Sequence, residues 1–314
     1  MFLCLPATRF GAVCIAFGVG IAAESALAEP IAYAINSDSY SASIHDHLLR
    51  VDLATGQFED IGSIVLGSQP TPFQDTEGLA LDTANQLWAV DDATKTFFRI
   101  DRESRAASIV GGRFGNLGLP TGITAGLDLG LTFTCDGSAL MSGEVSKTLY
   151  RIALDTGKAT PVGGAGMLGY KITDLAVYGP ALYGLGSEGD EGLYSIDPET
   201  GRATPIGDFA ADLHFNDGGL GFDSQGQLWA IVETGGGSPS RIFRVDKFTG
   251  RETLVSTTTP GIESLALTPP QCLQSSEGTE PAKIPTSSAG GLWLLLLGFL
   301  LLGGLALRRL AVPG

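Results

Sequence analysis

Five times along the chain one short phrase returns, and nothing else in the sequence restricts the fold as tightly. It reads LLRVDLATGQFEDIGS from Leu48, FFRIDRESRAASIVGG from Phe97, LYRIALDTGKATPVGG from Leu149, LYSIDPETGRATPIGD from Leu193 and IFRVDKFTGRETLVST from Ile242. Each copy opens with alternating apolar and polar residues, turns at a D-x-x-T-G-like element and continues into a short run rich in Thr, Val and Ile. That is the pattern of a β-hairpin. Gly56, Gly157, Gly201 and Gly250 supply the positive φ such a turn requires, and the Asp or Thr side chain can take up free turn amides. The second copy has Arg105 at the glycine position and is therefore expected to turn differently.

Ahead of copies two to five lies a second repeating hairpin: EGLALDTANQLWAVDD from Glu77, DLGLTFTCDGSALMSGE from Asp128, TDLAVYGPALYGLGSE from Thr173 and GGLGFDSQGQLWAIVE from Gly218. Two hairpins make a four-stranded unit, and units recurring roughly every 45–50 residues read as propeller blades. Copy one is preceded by a single strand, IAYAINSDS, whereas an unpartnered IESLALTPP follows copy five from Ile262. This orphan is expected to pair with the strand at 31–36 as the inner strand of blade one, which joins the two ends of the domain and removes an open sheet edge. The sequence thus predicts an all-β, five-bladed β-propeller over residues 29–270, closed by its C-terminal inner strand. Tyr33, Trp88, Met141, Tyr183 and Trp229 fall at equivalent points of the second strands and are expected to pack between blades.

Both ends carry targeting features. Residues 1–28 place Arg9 before an apolar run that ends at Ala26-Leu27-Ala28, the layout of a cleaved signal peptide. Residues 271–288 form a polar linker. The tail, 289–314, has an apolar stretch from Ala289 to Leu307, long enough for a helix of about 20 residues to cross a bilayer. It ends at Arg308-Arg309, which stay cytoplasmic and put the propeller on the outer face of that membrane.

With Cys4 and Cys14 removed in the signal, Cys135 and Cys272 are the pair that an oxidising envelope could join, both expected on the propeller's lower face. No metal-type cysteine spacing occurs, which excludes a zinc or iron-sulfur cysteine site. A net charge of −15 excludes nucleic acid as a partner of any ordinary kind, because phosphate binding needs clustered Lys and Arg.

Two resemblances add to this reading. The tail resembles bacterial C-terminal sorting signals: Ile284, Pro285 and Thr286 match the IPTL-type relatives of the PEP-CTERM signals, with Ser287 where those have Leu, while Gly290-Gly291 also suits a GlyGly-type tail. This implies export across the inner membrane, processing by signal peptidase and a sorting enzyme, and residence at the cell envelope or surface, anchored or sorted. The repeats resemble those of secreted bacterial repeat-propeller proteins of lactonase-like and NHL-like type, a likeness that implies architecture more than activity.

In a propeller the starts of the inner strands and the ends of the second strands open on one face around the central channel. Acidic residues collect at both places. Glu77, Asp128, Asp174, Asp217 and Glu263 lie at or just before inner-strand starts, while Asp91, Asp92, Glu144, Glu188 and Glu233 lie at second-strand ends. The first five are the expected ligands of a hard oxygen-ligand cation such as Ca²⁺. His45, His47 and His214 are expected on the same face, where imidazole ligands would turn the choice towards a transition metal. The competing reading is that these acids serve their own turns.

No nucleophile elbow, Ser-His-Asp order or phosphate-cradling loop can be picked out, so no catalytic residue is assigned. The glycine-rich GGRFGNLG and GGAGMLG connect blades and do not open a helix. The expected function is a binding or scaffold module displayed on the envelope, recognising a protein, polymer or small ligand. The alternative is a cation-dependent lactone or ester hydrolase using the acidic face.

Overall fold

The computed structural model describes residues 30–37, 43–70, 73–120 and 128–272. The chain divides into two compact units, 1–271 and 272–314, and of the second only Cys272 falls among the described residues. The expected signal, most of the linker and the tail with its sorting motif lie outside them. Among the described residues no helix is long and apolar enough to cross a membrane.

Four described sheets have four strands and one has three, as the blade plan predicts, and a two-stranded hairpin is added to it. Blade one holds β1 (Ile31–Ile35), β2 (His47–Asp52) and β3 (Phe58–Ser63), followed by a small hairpin of β4 (Val65–Leu66) and β5 (Gln69–Pro70). Blade two is β6 (Thr76–Leu81), β7 (Leu87–Asp91), β8 (Thr96–Ile100) and β9 (Ala107–Ile109). Blade three is β10 (Leu129–Phe133), β11 (Ala139–Gly143), β12 (Thr148–Ile152) and β13 (Ala159–Pro161). Blade four is β14 (Ile172–Tyr178), β15 (Ala181–Gly186), β16 (Gly192–Ile196) and β17 (Ala203–Asp208). Blade five is β18 (Asp217–Phe222), β19 (Leu228–Glu233), β20 (Arg241–Val245) and β21 (Glu252–Thr257). All pairings within blades are antiparallel between consecutive strands, as short turns require.

Burial falls from the axis outward. The first two strands of blades two and three are buried along their whole length, because neighbouring blades cover both faces. In β8, β12 and β16 one residue in five reaches solvent: Arg99, Arg151 and Ser195. This is why inner strands read as continuous apolar and glycine runs while third strands keep one polar position. The residues at the second strands form the packing between blades as expected. Trp88 stacks on Phe97 at 4.9 Å between ring centroids and meets Phe133 of the next blade at 5.7 Å. Tyr183 meets Phe222 of blade five at 5.4 Å. The polar ends of the two tryptophans are satisfied alike, Trp88 Nε1 donating to Asp82 and Trp229 Nε1 to Asp223.

The ring closes where the orphan strand predicts, with less regular pairing. Tyr33 and Ala266 exchange two backbone hydrogen bonds of 2.8 Å, and Asn36 bridges Ile262. Between these points the Ile35 N–H donates to Ser264 Oγ, at 2.9 Å, so a side chain takes the rung a ladder would give to backbone. After Ala266 the chain leaves blade one and crosses the lower end of the channel. Thr268 Oγ1 donates to the Phe222 carbonyl, and the Gly179 N–H donates to the Gln271 carbonyl at 2.7 Å. The space left among Leu81, Leu131, Val177, Phe222 and Leu265–Pro270 is about 30 Å³, room for about one water molecule.

The outer turns correct one expectation. Arg105 adopts the turn itself, at φ 62°, and its N–H donates to the Asp101 carbonyl at 2.7 Å as the Gly56 N–H does to Asp52. Its guanidinium reaches the Ser63 carbonyl at 3.3 Å, a contact between blades that glycine could not make and that offsets the backbone strain. Cys135 and Cys272 are both disulfide-bonded.

Candidate metal centre

The five acids expected to ring the channel divide by backbone register. In blade two, β6 pairs Thr76 with Asp91 and then Gly78 with Val90, so Glu77 is an extra, bulged residue. In blade four the bulged residue is Thr173, between Ile172 and Asp174. A bulge reverses the side to which the following residue points. Asp174 therefore occupies the position of Gly78 in blade two and turns into the ring wall. Its two oxygens accept the N–H groups of Leu131, at 3.2 Å, and Leu220, at 2.6 Å, tying blade four to both neighbours. Asp174 is a structural clasp and joins no acidic cluster among the described residues. Burial holds its carboxyl well above the usual carboxylate range. Glu263 likewise stays apart, accepting a hydrogen bond from Ser37 Oγ.

The remaining three acids belong to two separate clusters. Glu77 meets Asp75 and Asp92, while Asp128 and Asp217 meet Glu144. In each cluster, one ligand atom from each residue lies within 4.8 Å of the others. The expected single ring of five is thus two groups of three. The added members come from second-strand ends, Asp92 and Glu144, and from Asp75, which sequence reasoning missed. The link is local: the Asp92 N–H donates to the Asp75 carbonyl at 2.7 Å, and the Glu144 N–H to the Asp128 carbonyl at 3.2 Å. The blade pairing that places the second-strand acid therefore also places the residue just before the inner strand.

The blade-three cluster has the sharper chemistry. Glu144 is fully buried, at 0 % exposure. Its Oε1 accepts from Ser187 Oγ at 2.5 Å, and its Oε2, equally buried, accepts from no donor group, the carboxyl beside Glu144 being that of Asp128. Such an atom costs on the order of 1–3 kcal/mol unless something occupies its lone pairs. Burial, with the Asp128 carboxyl beside it, pushes Glu144 up to about 10. Asp217 is held well above its ordinary value by burial and by Asp128, and its Oδ1 accepts from Thr173 Oγ1 at 2.9 Å.

In the blade-two cluster, Glu77 Oε2 accepts the Leu129 N–H at 2.7 Å, and burial with four neighbouring acids raises Glu77 well above its usual range. Asp75 is raised to about 7, by burial first and Asp92 next. Here one of the three acids is answered by the protein itself: Lys95 Nζ lies 2.5 Å from Asp92 Oδ1, with both side chains buried.

The other mouth acids serve turns. Asp91 accepts the N–H groups of Gln74, Asp75 and Thr94. Glu233 accepts the Gly235 N–H at 2.7 Å, and Glu188 pairs with Lys171. No histidine enters either cluster. His47 sits between Asp60 and Ser63 in blade one, His214 pairs with Glu191 in solvent, and His45 lies 3.5 Å from Asp46. The donor sets are consequently all oxygen, which suits Ca²⁺ rather than zinc or copper.

No family model matches the chain, and no curated protein matches it. Among solved structures it is similar to a gluconolactonase from Xanthomonas campestris, at 16% identity over 78% of this chain and 85% of that one, with a TM-score of 0.43. It is also similar to a virginiamycin B lyase from Staphylococcus aureus, at 16% identity over 67% of this chain and 63% of that one, TM-score 0.39. A protein of unknown function from Bacteroides caccae aligns over 75% of this chain and 97% of its own at 8% identity, TM-score 0.47. The chain thus spans under two thirds of the lyase. Likeness at this level speaks to neither activity nor ligand.

Proposed function

We propose that this chain is an exported β-propeller of the cell envelope that binds its ligand with the acidic mouth of the ring, and that one divalent cation of the Ca²⁺ type, held by Asp128, Glu144 and Asp217, is part of that binding face. One observation carries the reading: the buried Glu144 Oε2, which accepts from no donor group, inside a group of three carboxyls. Burial and the crowding of acids raise Glu144 and Asp217, and a bound cation removes that penalty. Export is supported by the signal-like residues 1–28, the sorting-type tail and two disulfide-bonded cysteines, since disulfides persist in oxidising compartments. The pairing of Cys135 with Cys272 belongs to the same proposal.

The test is thermal and chemical unfolding of the full-length chain with Ca²⁺ and with chelator at one ionic strength. Saturation at a hundred times the dissociation constant stabilises by about 2.7 kcal/mol. Glu144→Gln removes that gain. Equal stability in Ca²⁺ and chelator overturns the ion site. A hydrolase reading has one observation in its favour: Asp75, at about 7, has the value of a general base working at neutral pH. Ion-dependent turnover of a lactone or ester panel, lost in Glu144→Gln, would replace binding by catalysis.

A further inference from the structure

Blades two and three carry the same turn after their second strand: Asp92-Ala93-Thr94-Lys95-Thr96 in one, Glu144-Val145-Ser146-Lys147-Thr148 in the other. Both lysines take a left-handed backbone, at φ 53° and 47°. Both donate their N–H to the carbonyl of the acid three residues back. Both acids belong to a group of three carboxyls. Only the side chains differ. Lys95 folds inward onto Asp92 and is 4 % exposed, whereas Lys147 points outward at 39 %.

The next blade round the ring explains the difference. Asp190 of blade four holds the place equivalent to Lys147, its N–H donating to Ser187 as that of Lys147 does to Glu144. Lys147 Nζ accordingly finds Asp190 at 3.5 Å and the Gly169 carbonyl at 3.4 Å. For Lys95 the equivalent neighbour is Lys147, a like charge, so the outward path is unfavourable and the ammonium turns to Asp92 of its own blade.

We infer that Lys95 is the resident cation of the Asp75–Glu77–Asp92 cluster: its ammonium holds Asp92 Oδ1 at 2.5 Å, withdraws that carboxylate from the three a divalent ion would need, and so limits the mouth to a single metal ion, taken in blade three. The lysine is covalently supplied and cannot be diluted away, so it competes for Asp92 at any ion concentration. The count of ions rests on the cation reading above, whereas the role of Lys95 does not.

Equilibrium dialysis of the full-length chain against Ca²⁺ tests it. Wild type is expected to bind one ion, Lys95→Gln two, Asp75→Asn one and Glu144→Gln none. A folded Lys95→Gln that gains no ion overturns the inference, as does Asp75→Asn losing the wild-type ion. No ion in wild type with one in Lys95→Gln rejects the blade-three site and leaves the role of Lys95 standing. Should Lys95→Gln be unfolded without metal, its folding is expected to return on adding Ca²⁺, and failure to return overturns the inference.

Discussion

Set side by side, the second turns of blades two and three show how little of a side chain's role is fixed by its own blade. The two turns share backbone shape, acid and lysine, yet one closes a buried ion pair, while the other leaves a carboxyl oxygen without a donor and sends its lysine outward to Asp190. The difference arises one blade on, where blade three offers a lysine and blade four an aspartate. In a ring of repeats, local sequence sets geometry, and the neighbouring repeat sets charge pairing.

The comparison breaks most visibly if both lysines are removed. Lys95→Met removes the buried ammonium that pairs with Asp92 and is expected to cost about 3–5 kcal/mol in urea unfolding. Lys147→Met removes an exposed contact and is expected to cost less than about 1 kcal/mol. Equal costs would mean that the two turns are energetically alike.

A smaller effect is expected from pH. Glu144 is raised from 4.5 to about 10, and Asp46, by burial and by Asp91, from 3.8 to about 7, the value Asp75 also reaches. In each the folded state holds its proton more tightly. Stability is therefore complete below about pH 4, where both states are protonated, and is lost as pH rises, through about 7 for the aspartates and towards 10 for Glu144. Without divalent ions, Tm is expected to fall by about 5 °C or more between pH 5 and 8, and saturating Ca²⁺ to flatten the fall. A profile that ignores Ca²⁺ would show that the blade-three cluster titrates like the lysine-filled one.

The finest contrast lies in the outer turns. In blade two Asp101 Oδ1 accepts the N–H groups of Glu103 and Ser104, and Asp52, Asp197 and Asp246 do the same in their blades. Blade three has Ala153 at that place. Ala153→Asp supplies the missing acceptor and is expected to raise Tm by about 2 °C. No change would show that the blade-three turn is already satisfied by other means.

The architecture was legible because a propeller writes its core as a period: five phrases, four inner hairpins and one orphan strand leave a single way to remove the open edge. Arg105 was misread because a side chain can pay for a left-handed backbone through a contact 42 residues distant in sequence, which no local pattern shows. The site was legible in outline only. Asp128 and Asp217, expected at inner-strand starts, do meet in one cluster, and Glu144 was noted at a second-strand end without being chosen as a ligand. Asp174 was taken for a ligand because its place in the repeat resembles theirs, yet the bulge at Thr173 turns it onto neighbouring backbone. Aligned on Glu77 and Thr173, the repeats do put Asp174 one residue further on, level with Gly78, and one residue along a strand reverses the face a side chain takes.

The clasp between Ile35 and Ser264 joins residues 229 apart, and it also sets an order of events. Domains form from the N-terminus as synthesis proceeds. Blades two to five hold all their strands within contiguous chain, whereas blade one begins first and finishes last. Its missing rung arrives only with residues 262–266, at the trailing end of the propeller. A chain threaded across a membrane from its N-terminus would thus stay an open arc during passage and become a ring only on arrival. A product cut short before Ile262 would keep β1 as a bare edge, open to association with other strands and marked by it as incomplete.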